Sequence, residues 1–280
     1  MLLDSNDAIL NHEPVVSFTS MTLPYLLAGE FALSMSGVSW TSLRPGVDYG
    51  VLRFIAQPET GDGLLHIVRI EPARTRLLVR AASTTDRKNR TAKAWAEKFG
   101  DLVVINAGMY AIDHSTHIGM LRIGTHTNNG KWRNDYKSVF LLGSASKARI
   151  EDALALPANA ADHDVIMQNL RLIAGPGKNV WSKTDRAWSE AALAMDDQGR
   201  ILFLFCRTPL SMWAFNQRLL RSGLGITHAQ HLEGGPEASL TIRTKRIQLD
   251  LSGSYESSFN ENDDNALQWR LPNVLVVPGS

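Results

Sequence analysis

The chain has 280 residues, of which 44% are hydrophobic, and its formal net charge at pH 7 is +1. This composition supplies a core for one large domain or two small ones, and it lacks the basic field of a nucleic-acid-binding protein. The only cysteine of this sequence, Cys206, excludes an internal disulfide and a cysteine-based zinc site.

The first 39 residues are predicted to be a lead-in to a single domain at 40–280. Residues 21–36 are apolar enough to suggest a degenerate export segment, but Pro24 and Glu30 interrupt them and no Lys or Arg precedes Arg44. The positively charged start of a signal peptide is therefore missing, which favours a buried element or a flexible lead-in. No other segment approaches the length of a membrane span, so no transmembrane segment is expected. The pattern does not indicate an oligomeric state.

Alternating or continuous apolar runs between turn residues predict many strands and few helices. Helices are predicted at 91–99, ended by Gly100, and at 211–221, with a partly helical stretch at 145–162. A hairpin turn is expected within 125–135 and a loop at 175–185. We therefore expect an α+β fold, with a mixed, mainly antiparallel sheet flanked by helices. The predicted strands are 49–57, 64–71, 75–82, 102–105, 117–121, 138–142, 165–168, 191–195, 201–206, 229–232, 237–243, 246–251 and 273–277.

Two of these strands break into glycine beside a polar side chain. The apolar run 102–105 ends in Asn-Ala-Gly-Met-Tyr at 106–110, and Gly119 follows in the next strand-like segment. The strand at 229–232 ends in Glu-Gly-Gly-Pro-Glu-Ala at 233–238. Glycine permits close approach of the backbone to a ligand, and two carboxylates on rigid backbone suit acid–base chemistry or glycosyl transfer. The alternative for the second segment is a turn whose glutamates face water.

These two segments together resemble the phosphodiester glycosidase family. The family pattern has a strand that ends in Asn-Ala-Gly-(Phe/Met)-(Tyr/Phe), then a glycine-bearing segment, then Leu-Asp-Gly-Gly followed by small hydroxyl residues. Here Asn106 begins the first element and Glu233 replaces the aspartate of the last. Glu237-Ala238 stands where many members have Ser or Thr, so a bacterial branch with a Glu-Gly-Gly-Pro-Glu-Ala variant is the better match. The resemblance runs from about Trp40 to the C-terminus.

The resemblance and the chemistry of the residues together suggest a set of site residues. Catalytic candidates are Glu233, Glu237, Asn106, whose amide can hold a sugar hydroxyl or a phosphate oxygen, and Arg207, which follows an apolar strand and could grip phosphate. A surface salt bridge is the alternative for Arg207, and simple packing is the alternative for Tyr110. His228 and His231 are interpreted as structural, and no metal-ligand spacing is recognised. The residues predicted to bind substrate or to shape its pocket are Gly108, Tyr110, Gly119, Gln168, Arg171, Gly234 and Gly235.

The resemblance implies a hydrolase that cleaves a glycosyl phosphodiester, with a linkage like that of N-acetylglucosamine 1-phosphodiesters. Phosphate is a good leaving group, so a carboxylate would mainly stabilise an oxocarbenium-like centre or activate water. No cofactor is required, although a divalent cation near the carboxylates is conceivable. The expected partner is a carbohydrate or glycosyl phosphate, not a nucleic acid. Relatives are mostly exported, which favours a periplasmic or extracellular location, but the missing signal peptide leaves the cytoplasm open.

Two other functions remain open at this point. One is a non-catalytic glycan-binding protein of the cell envelope, which would bind sugar phosphates without turnover. The other is a glycosidase that acts on a cell-wall or exopolysaccharide linkage, with Glu233 and Glu237 as an ordinary catalytic pair.

Overall fold

The computed structural model describes residues 37–143 and 148–279, and this part of the chain is built mainly from strands. It also contains two α-helices, α1 (Ala92–Phe99) and α2 (Met212–Arg221), and single turns of 3₁₀ helix at Ala82–Thr84, Ala160–Asp162 and Gly235–Glu237. The strands are β1 Ser39–Arg44, β2 Val47–Arg53, β3 Leu64–Ile70, β4 Leu78–Ala81, β5 Asp101–Asn106, β6 Leu121–Ile123, β7 His126–Asn129, β8 Lys137–Leu142, β9 Arg149–Asp152, β10 Val165–Ala174, β11 Lys178–Asn179, β12 Trp188–Asp196, β13 Ile201–Leu210, β14 Ile226–Gly234, β15 Ser239–Arg243, β16 Gln248–Ser252 and β17 Asn273–Pro278.

The strands form a large sheet and a small sheet, and all their named pairs are antiparallel. The main path of the large sheet runs β1-β2-β3-β13-β12-β14-β10-β6-β7. Strands β11 and β8 also pair with β10, and β9 pairs with β8. The small sheet runs β16-β15-β5-β17-β4. The central strands β12, β13, β5 and β17 are almost wholly buried, which explains their continuous apolar runs.

Each helix covers one of the two sheets. In α1, Thr91 caps the first turn by accepting from the Ala94 N–H at 3.1 Å, and Gly100 ends the helix at φ 67°. Trp95 of α1 is fully buried against Val104, Val274 and other residues of the small sheet. Helix α2 instead packs Phe215 and its neighbours into the core of the large sheet.

The two motifs predicted from the sequence are the places where the chain crosses between the sheets. Strand β5 of the small sheet ends at Asn106, and the loop that follows leads to β6 of the large sheet. Strand β14 of the large sheet ends at Gly234, and one turn of 3₁₀ helix leads to β15 of the small sheet. Because β15 pairs with β5, both crossings lie at the same place in the fold.

The predicted α+β class is wrong, because the described residues form a mainly β fold in which two short helices cover sheets of many strands. Two local predictions also fail. Strand β7 occupies part of the predicted turn, and the side chains of Asn128 and Asn129 bind the backbone at 115–118. Strand β9 and one 3₁₀ turn replace the predicted helix in its described part, 148–162.

The predicted lead-in lies almost entirely in residues 1–36, outside the described part of the chain, as do residues 144–147 and 280. Within the described residues, neither helix has the length and apolar character needed to cross a lipid bilayer.

Candidate active site

The side chain of Asn106 fastens the two motifs together. It is 1% exposed, its Nδ2 donates to the Glu237 carbonyl at 2.8 Å, and its Oδ1 accepts from the Ser239 N–H at 2.7 Å. Both polar atoms of the amide are therefore engaged with backbone. Asn106 stands at the junction as predicted, but it holds the acidic turn in place instead of presenting its amide to a substrate.

Glycines occupy the positions where a side chain would collide with a neighbouring segment. A Cβ on Gly108, where φ is 150°, would lie 2.2 Å from Oδ1 of Asn169, and a Cβ on Gly119 would lie 2.1 Å from the Gln168 carbonyl. On the acidic side, a Cβ on Gly235, where φ is 60°, would lie 2.6 Å from a carboxylate oxygen of Glu256. These glycines allow the loop after β5 and the acidic turn to pack closely against their surroundings.

A cavity of about 370 Å³ opens beside the end of β14. Its apolar surface comes from two indoles and other large side chains, and its polar surface includes two carboxyl groups, one imidazole and one guanidinium. Aromatic walls with a few convergent polar groups are typical of a small-molecule site. The residues that line the cavity are Met109, Leu170, Trp181, Thr184, Arg186, Trp188, Met212, His231, Glu233, Gly234 and Glu256.

Glu233 is a carboxyl group that retains its proton near neutral pH. Burial raises its pKa to about 8, an increase to which nearby Glu237 and Glu256 contribute, although His231 opposes it. Its Oε1 accepts from the Gly234 N–H at 3.2 Å. An irregularity in β14 lies here, since Ala191 pairs with Glu233 but Ala192 pairs with His231. Such bulges redirect side chains, and they are common next to active sites.

Glu256 is the second carboxyl group on the cavity wall, and it comes from the connection between β16 and β17. Burial raises its pKa, and the net shift is upward although the nearby cations Arg186 and His231 oppose it. Arg186 is exposed, so its guanidinium stands beside Glu256 and within reach of solvent. The two carboxyl groups that line the cavity thus have different electrostatic surroundings.

A buried carboxylate–imidazole pair lies behind Glu233. Oε1 of Glu190, which is 2% exposed, is 2.7 Å from Nδ1 of His231, and Oε2 accepts from the Trp188 indole N–H at 2.8 Å. Burial lowers the pKa of His231. The opposing effect of Glu190, with Glu233 and Glu256, is larger, so the net shift is upward. One carboxylate therefore orients two residues of the cavity wall.

Glu237 and Tyr110 adjoin the cavity without lining it. Burial raises the pKa of Glu237 to about 7, and Glu256 adds to this increase. The pKa of Tyr110 is raised by burial and by the charges of Glu237 and Glu233, so its hydroxyl lies near both carboxyl groups. The structure therefore brings Glu237, Tyr110 and Glu233 together.

Three other predicted residues are held elsewhere by the fold. The guanidinium of Arg207 binds the Asp263 carboxylate at 2.7 Å and the backbone carbonyls of Ser252, Asp263 and Asn265. Gln168 bonds through its amide to the backbone of Met120 and Arg133, and Arg171 pairs with Asp152 at 3.3 Å. Their side chains are engaged as structural ties, and none of the three lines the cavity.

Sequence reasoning missed much of the cavity wall. Arg186 follows a polar loop and Glu256 lies in an irregular segment, so neither is next to a recognisable motif. Trp188 is the first residue of β12 and lies before the predicted strand 191–195. A sequence signal is present at the end of β14, where His231 stands two residues before Glu233. Among the described residues, no three His, Cys, Asp or Glu side chains meet as metal ligands would.

Comparisons with known proteins agree with this geometry. The zebrafish N-acetylglucosamine-1-phosphodiester alpha-N-acetylglucosaminidase catalytic domain, auto-inhibited by its pro-peptide, has the same fold, with a TM-score of 0.59 and 14% identity over 87% of each chain. A hypothetical protein from Synechocystis gives a TM-score of 0.54 with 15% identity, covering 86% of this chain and 63% of that one. No curated protein matches the chain significantly. The model of the phosphodiester glycosidase family matches residues 99–278, which contain both motifs and the whole cavity wall, and the chain therefore belongs to this family.

Proposed function

We propose that this protein hydrolyses the bond between the anomeric carbon of a sugar and the oxygen of a phosphodiester. Family membership supports a glycosidase reaction on a carbohydrate-type substrate. The fold is shared with an enzyme whose name specifies an N-acetylglucosamine-1-phosphodiester, which suggests a sugar of this kind. The observation that carries the proposal is Glu233, a proton-holding carboxyl group on the wall of an aromatic cavity.

The two carboxyl groups of the cavity wall suit the roles of acid and base. Glu233, with a pKa of about 8, is the group that holds a proton at neutral pH and can donate it to the departing phosphate oxygen. The pKa of Glu256 is also raised by burial, but Arg186 and His231 oppose this increase and favour the ionised form, which can accept a proton from water. Carboxyl groups whose surroundings differ in this way commonly divide acid and base roles. Glu237 helps Glu233 to keep its proton.

The remaining wall suits the two halves of the substrate. Trp181 and Trp188 offer aromatic surface for the apolar face of a sugar ring. Arg186, at the exposed side of the cavity, can bind a phosphate oxygen, the role that the sequence suggested for Arg207. A location in the bacterial cell envelope stays a prediction from the family resemblance.

The test is release of free sugar from UDP-N-acetylglucosamine and other glycosyl phosphodiesters. We expect turnover by the wild-type protein, a loss of about 100-fold or more in kcat for Glu233→Gln, and an unchanged rate for the control Glu59→Gln, which alters an exposed glutamate. Binding without turnover would favour a glycan-binding protein, and faster cleavage of neutral glycosides would favour an ordinary glycosidase. A full rate in Glu233→Gln would remove this residue from the mechanism.

A further inference from the structure

His231 has one ring nitrogen paired with a buried carboxylate, and its side chain lines the cavity. We propose that His231, oriented by Glu190, donates from Nε2 to the phosphate group of the substrate and thereby selects phosphate-bearing sugars over neutral ones. This inference rests on the proposed function for the class of substrate, and it adds a phosphate-recognition residue that sequence reasoning had interpreted as structural.

The geometry leaves Nε2 as the free end of the imidazole. Nδ1 is 2.7 Å from Glu190, whereas Nε2 has no hydrogen-bond partner among the described residues. The ring lies edge-on to Trp188, with 6.3 Å between ring centroids, and it lines the cavity together with Glu233. Packing and the carboxylate therefore fix the direction in which the second nitrogen points.

The charges around the ring keep the proton on the imidazole. Glu190 from β12 and Glu256 from the β16–β17 connection face it and raise its pKa against the effect of burial, and Glu233 from β14 adds to this increase only when it is ionised. Arg186 is the nearby cation, beside Glu256. As an imidazolium, the ring donates from both nitrogens.

A cationic donor at this position suits the reaction itself. When the bond between the anomeric carbon and oxygen breaks, both electrons stay with the oxygen, and negative charge develops on the phosphate group until Glu233 supplies its proton. A charge-assisted hydrogen bond from Nε2 then strengthens as the charge develops. A neutral sugar offers no such charge to the imidazolium.

His117 shows what a structural histidine looks like in the same fold. It is fully buried, its Nε2 lies 3.0 Å from the Gln168 carbonyl, and burial lowers its pKa to about 4. No carboxylate is paired with it in the described residues. His231 differs in its ion pair and in its position on the cavity wall.

The direct test compares binding of N-acetylglucosamine 1-phosphate and N-acetylglucosamine by calorimetry. Wild-type protein should prefer the phosphate, and His231→Gln should weaken binding of the phosphate about tenfold or more, with little effect on the neutral sugar. The matched control is His228→Gln, which changes a histidine on the same strand that bonds to Thr227 and does not line the cavity. Equal binding of both ligands by the wild-type protein, or equal losses for both in His231→Gln, would overturn the proposal.

Glu190 is a positioning residue, and its test uses the titration of the imidazole. Glu190→Gln keeps the shape of the side chain but removes its charge, so the NMR midpoint of His231 should move down and phosphate binding should weaken toward higher pH. An unchanged midpoint would refute the role of Glu190, and this readout also serves if His231→Gln does not fold.

The two proposals can fail separately. Selective binding of the sugar phosphate without sugar release would refute the proposed hydrolysis and keep the role of His231. Sugar release by the wild-type protein, together with normal phosphate binding by His231→Gln, would keep the proposed hydrolysis and refute the role of His231.

Discussion

Asn106 is a single side chain on which the geometry of the site depends. Its amide bonds to the backbone at Glu237 and Ser239, on the far side of a sheet crossing. We predict that Asn106→Ala lowers the free energy of unfolding by about 2 kcal/mol or more, because a buried N–H and a buried carbonyl lose their partner. Urea denaturation measures this loss, with Asn159→Ala as the control because Asn159 is exposed and its side chain makes no capping bond. Equal stability of the two variants would contradict this structural role of Asn106.

Gly108 is a residue at which close packing after β5 leaves no room for a side chain. An added Cβ would lie 2.2 Å from Asn169 and 2.4 Å from His117, at a φ of 150°. Gly108→Ala should therefore cost at least about 2 kcal/mol of stability. Gly124→Ala is the matched control, since φ is 57° there but nothing lies within 4 Å, and it should cost only about 1 kcal/mol. Similar melting temperatures for both variants would refute the packing argument.

At the residue scale, the sequence predicts the positions that belong to motifs and misses those that do not. Glu233, Glu237 and Tyr110 were predictable because each follows a strand that breaks into glycine. Arg207 follows the predicted strand 201–206, but in the structure it lies within β13, and Asp263 and nearby carbonyls, distant in sequence, bind its guanidinium. The role of Glu190 was hidden because its strand pairing with Gly234 is a tertiary contact.

Helix α1 is an element whose ends follow from local sequence alone. The side chain of Thr91 accepts from Ala94, and the helix places Trp95 against the small sheet, the sheet that carries Asn106. Thr91→Ala should lower the free energy of unfolding by about 1 kcal/mol. Thr91→Ser should lose much less, because the serine hydroxyl can also cap the helix. Chemical denaturation distinguishes the two variants, and an equally destabilised serine variant would show that the hydroxyl bond is not the cause.

Strands were predicted more completely than their partners. Apolar runs such as those of β5, β13 and β17 mark buried strands without regard to context, but several strands here depend on their neighbours. Strand β7 is polar and β9 carries charges, so their pairing with β6 and β8 is set by the sheet and not by propensity. The predicted α+β class is wrong for this reason. Strands such as β7 and β9 were not predicted, so the predicted share of helix was too large.

At the scale of the whole molecule, the acidic cluster at the cavity makes stability depend on pH. The pKa of Glu233 is raised from 4.5 to about 8, so the folded state binds its proton more tightly than the unfolded state does. The free energy of unfolding should therefore fall as pH rises from about 4.5 to about 8, and then level off as far as this group is concerned. Glu237, with a pKa of about 7, and His231 add slopes of the same sign.

Glu233→Gln removes one ionisable group from this balance. We predict a shallower decrease in stability between about pH 5 and about pH 8 than in the wild-type protein, because an amide does not ionise within this range. Urea denaturation at both pH values measures the slopes, and Glu59→Gln should retain the wild-type slope. Parallel slopes for wild type and Glu233→Gln would contradict the raised pKa.

The central claim is that the cavity between the two sheet crossings cleaves the bond between a sugar and a phosphodiester on the sugar side. Hydrolysis of UDP-N-acetylglucosamine in water enriched in oxygen-18, followed by mass spectrometry of both products, tests this claim most directly. The account predicts that the label enters the released sugar, because water attacks the anomeric carbon. Label found in the phosphate product, or no hydrolysis of the substrate, would contradict it.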